Sequence, residues 1–433
     1  MNRAMKRLLS AALVFLAAQS ALAGVAIEHW TTSAGTRVYF VASRALPIVD
    51  VQVDFAAGSM FDPPGKAGLA GLTRSLLDLG AGKRDETAIA EDLADIGARL
   101  GGGADTDRAS ISVRTLAAAD KREVALDILR ATISQPLFDA AILEREKVRT
   151  IAGLKEAMTR PDSIGGKAFW EALYPEHPYG RQATPESVAT FGRDDLVAFH
   201  ARHYNAAGAS ITLVGDLSRA EAERIAAALS ASLPSGAAQP LPTPPGASQQ
   251  GLKAIAHPAS QAHITLGLPA IERGHPDYFP LLVGNYTLGG GGFVSRLMKE
   301  VRDKRGFAYS VYSYFAPLKH PGPFQIGLQT KRSQASEAIK VAREVLTGFV
   351  ADGPSDEELT AAKANLTGSF PLRLDSNRKI LENVAVIGFY GLPLDYLDHY
   401  QERVQAVTAA EVKAAFARHI RPEALTIVTV AAD

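Results

Sequence analysis

Hydrophobic and polar positions follow the same order in two distant parts of the chain. The segment FHARHYNAAGASITLVGD (residues 199–216) resembles FARHIRPEALTIVTVAAD (residues 416–433), and the alignment runs without a gap through Ile211/Ile427 and Val214/Val430. Each copy ends a helical pattern and continues as a β-branched run bounded by small residues, which predicts a helix followed by a strand. We therefore infer an internal repeat.

Two further pairs of segments extend this repeat upstream. ASISVRTL and the helical REVALDILRATI are matched by FQIGLQT and SEAIKVAREVLTGFV, and EREKVRTIAGLKEA is matched by ELTAAKANLTGSF. Between the halves, residues 233–249 are rich in Pro, Gly, Ser and Ala, which indicates a linker. The mixture of strands and helices predicts an α+β fold with two homologous domains, residues 24–232 and 250–433, each a mixed β-sheet covered by helices.

Each half also contains a segment in which a helix and a strand adjoin. In the first half, Val51, Val53 and Phe55 alternate with polar residues, which predicts a strand before the Pro-Pro-Gly turn at residues 63–65 and the helix that follows. In the second half the helical stripe and the alternating strand are separated by Gly306, which suits the left-handed end of a helix. The stripe consists of Val294, Leu297, Met298 and Val301, and the strand positions are Phe307, Tyr309, Val311, Ser313 and Phe315.

Composition and charge narrow the function classes. Lys plus Arg and Asp plus Glu both number 46, so the zero net charge gives no basic field for nucleic acid. No cysteine is present, which excludes disulfides and thiolate metal sites. Residues 1–23 combine a basic start, a short apolar run and Ala21-Leu22-Ala23, which predicts a secretory signal peptide. We expect a secreted protein, periplasmic in a Gram-negative source; an uncleaved membrane anchor is the alternative, although the run is short for a span.

The strand, turn and helix of the first half resemble the start of pitrilysin-like (insulinase-type) zinc metallopeptidases. The resemblance continues through HPYG (residues 177–180), VATFGRDDLVAFHARHY (residues 188–204) and ITLVGD (residues 211–216), and it covers nearly the whole mature chain. It implies two homologous domains that face each other across a cleft, in a half-clamshell of the LuxS and processing-peptidase type.

The zinc motif of that family is degenerate in this chain. In the family a helix carries H-x-x-E-H, whose two histidines bind zinc with a later Glu while the central Glu activates water. The resemblance places Gly71, Arg74 and Ser75 at the motif positions and Gly153 at the later ligand, and no histidine occurs between residues 30 and 176. A guanidinium about 5 Å from a divalent cation also costs several kcal/mol. We therefore expect no catalytic residue, no metal and no cofactor in this chain.

The second half resembles the family's other signature. There an Arg near a helix end and a Tyr seven residues later reach towards the scissile peptide, and the matching residues are Arg302 and Tyr309. A guanidinium and a phenol are strong donors that bind a substrate carbonyl and stabilise a developing oxyanion. The alternative is a solvated helical Arg beside a strand Tyr that packs.

Other candidates have simpler interpretations. The glycine run at residues 289–292 is not followed by Gly-Lys-Ser/Thr, which argues against a phosphate loop and for a tight connection with positive φ. His200 and His203 share a helix face but have no third ligand, so a structural role is expected. Trp170, Tyr174 and Tyr179 are expected to pack.

The resemblance implies a non-catalytic subunit like the α subunit of mitochondrial processing peptidase and bacterial two-chain homologues. Its partner would be a homologous chain that keeps H-x-x-E-H and holds zinc, and the substrate an extended peptide or unfolded polypeptide added to a strand edge. Two alternatives remain: a catalytically silent peptide-binding or scaffold protein of the same fold, and an independent hydrolase, for which no G-x-S-x-G elbow is found.

Overall fold

The structure, a computed structural model, describes residues 24–432 and confirms the predicted fold class. Two mixed β-sheets, one from each half of the chain, are covered by helices. The predicted signal peptide, residues 1–23, lies outside the described residues. No helix among residues 24–432 combines the length and the apolar character that a membrane span requires.

The first half forms a six-stranded sheet in the order β1-β2-β8-β3-β7-β6, with β2 and β8 parallel and the other pairs antiparallel. Its strands are β1 (Glu28–Thr31), β2 (Arg37–Ala42), β3 (Ile48–Phe55), β4 (Gly80–Ala81), β5 (Arg84–Asp85), β6 (Arg99–Ala104), β7 (Ala109–Leu116) and β8 (Ala209–Gly215), of which β4 and β5 form a separate ribbon. Its helices are α1 (Leu69–Leu76), α2 (Glu86–Asp95), α3 (Ala119–Ser134), α4 (Ala140–Ala157), α5 (Pro161–Leu173), α6 (Pro185–Ala189), α7 (Arg193–His203) and α8 (Arg219–Ser232).

The second half forms a five-stranded sheet in the order β11-β12-β10-β13-β9, in which only β13 and β9 pair in parallel. Its strands are β9 (Gly251–Ile255), β10 (Gln261–Ile271), β11 (Ala308–Phe315), β12 (Gly322–Lys331) and β13 (Thr426–Val430). Its helices are α9 (Tyr278–Asn285), α10 (Ala335–Asp352), α11 (Asp356–Gly368), α12 (Asn377–Tyr390), α13 (Tyr400–Ala406) and α14 (Ala409–His419), with π-helical turns at Tyr286–Gly290 and Met298–Asp303. Residues 234–250 contain neither helix nor strand.

The repeat inferred from the sequence is visible in the structure. In both copies a helix, α7 or α14, is followed by a short 3-10 turn and a buried strand, β8 or β13. The upstream segments ASISVRTL and FQIGLQT also lie in corresponding strands, β7 and β12. The chain therefore builds one plan twice.

Each half contributes one helix to the sheet of the other half. Helix α5 lies against β10 and β13, whereas α12 lies against β2, β3 and β8. Glycines permit the close approach: a Cβ at Gly388 would lie 2.5 Å from the ring of Tyr39, and a Cβ at Gly267 would lie 2.7 Å from the ring of Phe169. Because α12 covers the sheet, β3 is buried on both faces, including all three of its polar residues.

A buried carboxylate joins the two halves near these helices. Asp107 accepts hydrogen bonds from the hydroxyls of Tyr179 and Tyr390, each at 2.8 Å, and from the backbone amide of Lys319 at 2.9 Å. Burial raises the pKa of Asp107. Tyr390 is the last residue of α12, so this cluster also fixes the end of the exchanged helix.

Candidate functional site

The four degenerate zinc-motif positions lie on two helices that contact each other. Gly71, Arg74 and Ser75 are on α1, and Gly153 is on α4. A Cβ at Gly71 or at Gly153 would meet no atom within 4 Å, so space remains on both helices. The hydroxyl of Ser75 donates to the carbonyl of Leu72 at 2.9 Å, the ordinary local bond of a helical serine. These side chains offer neither an imidazole pair nor a carboxylate.

Arg74 is bonded into the protein interior. Only 5% of its surface is exposed, and its Nε and Nη2 atoms donate to the carbonyls of Ser110 and Gly101 at 2.6 and 2.8 Å. A third nitrogen lies 3.5 Å from the carboxylate of Asp78. The guanidinium thus ties α1 to β7 and β6. It places a fixed positive charge at the position where the family's catalytic Glu would stand.

The strand and the helix predicted on either side of the Pro-Pro-Gly turn are present in the structure as β3 and α1. Gly68 has a φ of +99°, a conformation that suits glycine, and the carboxylate of Asp62 accepts from the amides of Gly68 and Ala70 at 2.7 Å each. Burial raises the pKa of Asp62 to about 6. The predicted strand, turn and helix are therefore present around the positions that the resemblance assigns to the motif.

Strand β6 forms the outer edge of the first sheet. It pairs with β7 on one side only, and its sequence Arg-Leu-Gly-Gly-Gly-Ala is largely open to solvent. Its glycines at positions 101–103 have no side chains that could obstruct an approaching backbone. An extended peptide can therefore add to this edge by main-chain hydrogen bonds.

The structure brings Arg302 and Tyr309 together. The guanidinium carbon of Arg302 lies 5.0 Å from the ring centroid of Tyr309 and 4.7 Å from that of Phe293. Both rings are exposed, Tyr309 to 86% and Phe293 to 68%. The Arg is held between two aromatic faces by cation–π contacts. Phe293 was missed by the sequence analysis, although an aromatic residue directly after the Gly289–Gly292 run was a usable signal.

A β-bulge explains the exposure of Tyr309. The register of β11 against β12 shifts between Ala308 and Val311, so Tyr309 leaves the buried face that Val311 and Ser313 occupy. The simple alternation predicted for this strand is therefore wrong at Tyr309. Bulges commonly redirect a side chain in this way at functional sites.

The helix before this strand also differs from the prediction. Leu297, Met298 and Val301 are buried as expected, but Val294 is 54% exposed, because it lies in the 3-10 turn Gly292–Val294. The π-helical turn Met298–Asp303 then carries Arg302. The left-handed glycine at the end is confirmed, since Gly306 has a φ of +63°.

The glycine run at residues 289–292 is the tight connection that was predicted. Gly292 has a φ of +62°, and a Cβ at Gly289 would lie 2.4 Å from the hydroxyl of Ser313. The run thus packs closely against β11 and places Phe293 beside Arg302. Its glycines serve backbone geometry and close packing.

The remaining candidate residues have structural roles. His200 and His203 are buried and bond to the carbonyls of Ile133 and Ala56 at 3.0 and 3.1 Å, and burial lowers the pKa of both. Tyr174 and Tyr179 are fully buried, with the ring of Trp170 against Tyr174, as expected.

A His-Asp cluster was not predicted from the sequence. Within the described residues, His275, Asp277 and His419 lie close enough to hold a metal ion. However, Asp277 already accepts two hydrogen bonds from Arg418, at 2.9 and 2.7 Å, and one from His419 at 2.8 Å. The carboxylate is therefore engaged as an acceptor, and the neighbouring guanidinium opposes a cation.

Two sequence models match the chain. Residues 37–184 match the description "Insulinase (Peptidase family M16)", and residues 190–366 match "Peptidase M16 inactive domain". The protein belongs to the M16 peptidase family. This confirms the resemblance to insulinase-type peptidases inferred from the motifs.

Relatives of this M16 protein include chains without activity. A crystal structure of a peptidase M16 inactive domain from Pseudomonas fluorescens is 38% identical, with a TM-score of 0.90 over 94% of this chain and 97% of that one. The non-peptidase homolog YmxG of Helicobacter pylori is 26% identical over 91% of both chains. An uncharacterized zinc protease, YmxG of Bacillus subtilis, is also 26% identical, over 82% of this chain and 87% of that one. The degenerate zinc motif predicted from the sequence is consistent with the descriptions of the first two of these relatives.

A more distant structure shares the fold alone. The periplasmic protease PqqL of Escherichia coli is 15% identical, with a TM-score of 0.81, and the match covers 94% of this chain but 45% of that protein.

Proposed function

We propose that this protein is the non-catalytic subunit of a periplasmic zinc metallopeptidase. A homologous partner chain with an intact H-x-x-E-H would hold the zinc, and this chain would supply Arg302 and Tyr309 to bind the substrate. The first half supports the proposal, because Gly71, Arg74 and Ser75 provide no metal ligand and Arg74 is bonded to the backbone.

The proposal rests mainly on two polar side chains of the second half. Within the described residues, the side chains of Arg302 and Tyr309 make no hydrogen bond or ion pair, although the two side chains touch. Their donors are therefore free to bind a peptide carbonyl and to stabilise negative charge that develops on it. Phe293 and Tyr309 are both exposed and both contact Arg302, and an exposed aromatic patch of this kind favours a binding role.

The substrate in this proposal is an extended peptide. Strand β6 has no neighbouring strand on its outer side within the described residues, and its glycines leave room for a second chain alongside. The predicted signal sequence supports export, and the shared fold with a periplasmic protease is compatible with that location.

The test is reconstitution with a homologous H-x-x-E-H chain from the same genome. We expect the mixture to cleave a quenched fluorescent peptide and either chain alone to be inactive. Arg302→Ala and Tyr309→Phe should each lower kcat/KM by about tenfold to a thousandfold, the range of lost transition-state donors. Arg305→Ala is the matched control, because Arg305 is also exposed but pairs with Glu300. Cleavage and bound zinc in the lone chain, or full activity of the double variant, would refute the proposal.

A silent peptide-binding protein is the second candidate. The buried bonds of Arg74 favour it, because they make this half rigid without any need for a catalytic partner. It predicts that no H-x-x-E-H chain copurifies and that the isolated protein still binds peptides. Size-exclusion chromatography with a pull-down from source extract separates the two candidates.

A further inference from the structure

A cavity rich in arginine lies on the first sheet beside the edge strand. Its volume is about 500 Å³, and it is enclosed by β3, β7, β6 and the first turns of α12, the helix that comes from the second half. We call it the basic cavity and define it by its four arginines, Arg99, Arg108, Arg114 and Arg378. No residue of the degenerate zinc motif lines it.

Two of these arginines have firm carboxylate partners. Arg114 donates from Nε and Nη2 to both oxygens of Asp50 at 2.7 and 2.9 Å, and Arg108 contacts Asp54 at 3.2 Å. Asp50 and Asp54 are buried, so they hold these guanidinium groups in place. The side chain of Arg114 is nevertheless 40% exposed.

The other two arginines are available to a ligand. Arg378 pairs with Glu382 at 2.9 Å, but both side chains are more than half exposed, and such pairs contribute little. Arg99 makes no ion pair or side-chain hydrogen bond with any described residue. The cavity therefore holds one uncompensated positive charge and a second that exchanges its partner easily.

The strand register adds a second and independent observation. Arg99 on β6 lies directly opposite Arg114 on β7, and both side chains line the cavity. Like charges at directly opposed positions of an antiparallel pair destabilise it. Asp50 offsets the charge of Arg114, whereas a bound anion would be needed to offset that of Arg99. A guanidinium fork matches the two oxygens of a carboxylate.

We propose that the basic cavity binds a carboxylate group of the extended peptide that lies along β6. This rests on the proposed function in one respect, the position of the peptide on that edge. Side chains of an added strand alternate between the two faces of the sheet, so every second residue is directed towards the face with the basic cavity. The chain would thus select peptides with an Asp or Glu side chain, or a free C-terminus, at that place.

The two sources of the carboxylate can be distinguished with the isolated mature protein. Fluorescence anisotropy would measure its affinity for short labelled peptides in which a single Glu is moved along a neutral sequence, each compared with its Gln isostere. Both forms are made with a free and with an amidated C-terminus. We expect a preference of about tenfold for one acidic form, the size of one charge-assisted contact. A Glu preference identifies the side chain, and loss on amidation identifies the terminus.

Charge variants locate the preference. Arg99→Ala and Arg378→Ala should bring the ratio of the two affinities close to one without weakening the neutral peptide, and Arg99→Lys should keep part of it. Arg224→Ala is the matched control, because Arg224 is 54% exposed and pairs with Glu123, outside the cavity. Thermal unfolding of each variant checks that it is folded.

Three results with peptides would overturn the inference. They are equal binding of acidic and neutral peptides, no binding of either up to about 1 mM, and an unchanged preference in the folded Arg99→Ala protein. Inorganic phosphate that binds as tightly as the acidic peptide would also overturn it, since it would indicate a general anion site. Arg302→Ala should leave the ratio unchanged, so failure of the proposed catalytic partnership remains distinguishable from failure of the basic cavity.

Discussion

The two sheets carry different charge on the faces that the exchanged helices cover, although both halves follow one plan. On the first sheet the covered face holds the basic cavity. On the second sheet the corresponding cavity, about 450 Å³, lies beneath the start of α5 and next to Tyr309. It is lined by one carboxylate, Asp162, with glutamines, tyrosines and His263, whose pKa is lowered by burial. The two halves thus share a backbone plan but present different side chains on these two faces.

Arg74 and Arg302, which the resemblance places at the family's signature positions, show a similar contrast between the two halves. Arg74 is buried and donates to two carbonyls, whereas the side chain of Arg302 makes no hydrogen bond within the described residues and stacks between exposed rings. One guanidinium is bonded within the fold, whereas the other keeps its donors free for the proposed ligand. Its surroundings, more than its place in a motif, indicate what each arginine does.

The largest effect should come from Arg74→Ala. The change leaves the carbonyls of Ser110 and Gly101 without their charged donor and the Asp78 carboxylate without its partner. We expect the free energy of unfolding to fall by about 3 kcal/mol. Urea denaturation would measure it, with Arg305→Ala as an exposed control expected to change stability by less than about 0.5 kcal/mol. A small effect for Arg74 would remove the contrast between the two arginines.

A pH-dependent effect should follow from Asp54, which lies on β3 beneath α12. Burial raises the pKa of Asp54 to about 6, although Arg108 opposes this. Because the folded-state pKa lies above the ordinary value of 3.8, the stability due to this group is present at low pH and is lost as the pH rises through about 6. Between about pH 4 and pH 7, wild type should lose about 2 kcal/mol more stability than Asp54→Asn. Parallel stability curves in urea would contradict this.

The helix exchange can be tested with two helical glycines. Gly388→Ala in α12 places a Cβ against the ring of Tyr39, so we expect a loss of about 1.5 kcal/mol from overpacking. Gly348→Ala in α10 meets no atom within 4 Å and should instead stabilise the protein by up to about 1 kcal/mol. Chemical denaturation of the pair measures both signs. Stabilisation by Gly388→Ala would argue against the close contact of α12 with β2.

The smallest expected effect concerns Phe293. Phe293→Leu keeps an apolar side chain but removes one of the two aromatic faces that hold Arg302. A cation–π contact at an exposed site contributes about 0.5–1 kcal/mol, so kcat/KM of the reconstituted peptidase should fall about threefold. Phe307→Leu, four residues beyond Asp303, serves as a control for the loss of a nearby ring. An unchanged rate would mean that the stack does not position Arg302.

Local pattern and family resemblance together predicted much of this molecule. The alternation of Val51, Val53 and Phe55 gave the first core strand, and the offset between residues 199–216 and 416–433 gave the duplication. The resemblance selected Arg302 and Tyr309, and the two side chains are in contact in the structure. Their role in substrate binding stays a prediction. These features depend on periodicity or on a short segment, which a sequence displays directly.

Other features depend on contacts between distant segments. The apolar stripe of α12 does not show that this helix covers β3. That Arg99 lies directly opposite Arg114 follows only from the register of β6 against β7. The bulge that exposes Tyr309 interrupts an apparently regular alternation. Tertiary packing decides such features, so local propensity does not predict them.

The exchange of α5 and α12 means that the two halves of this protein depend on each other for their packing. Cutting the chain near residue 240 would give two fragments, each with an uncovered sheet face and one helix without its packing partner. Neither fragment would be a self-sufficient module, and mixing them should restore what each lacks. The two halves are therefore better regarded as complementary parts of a single cooperative unit than as independently folding domains.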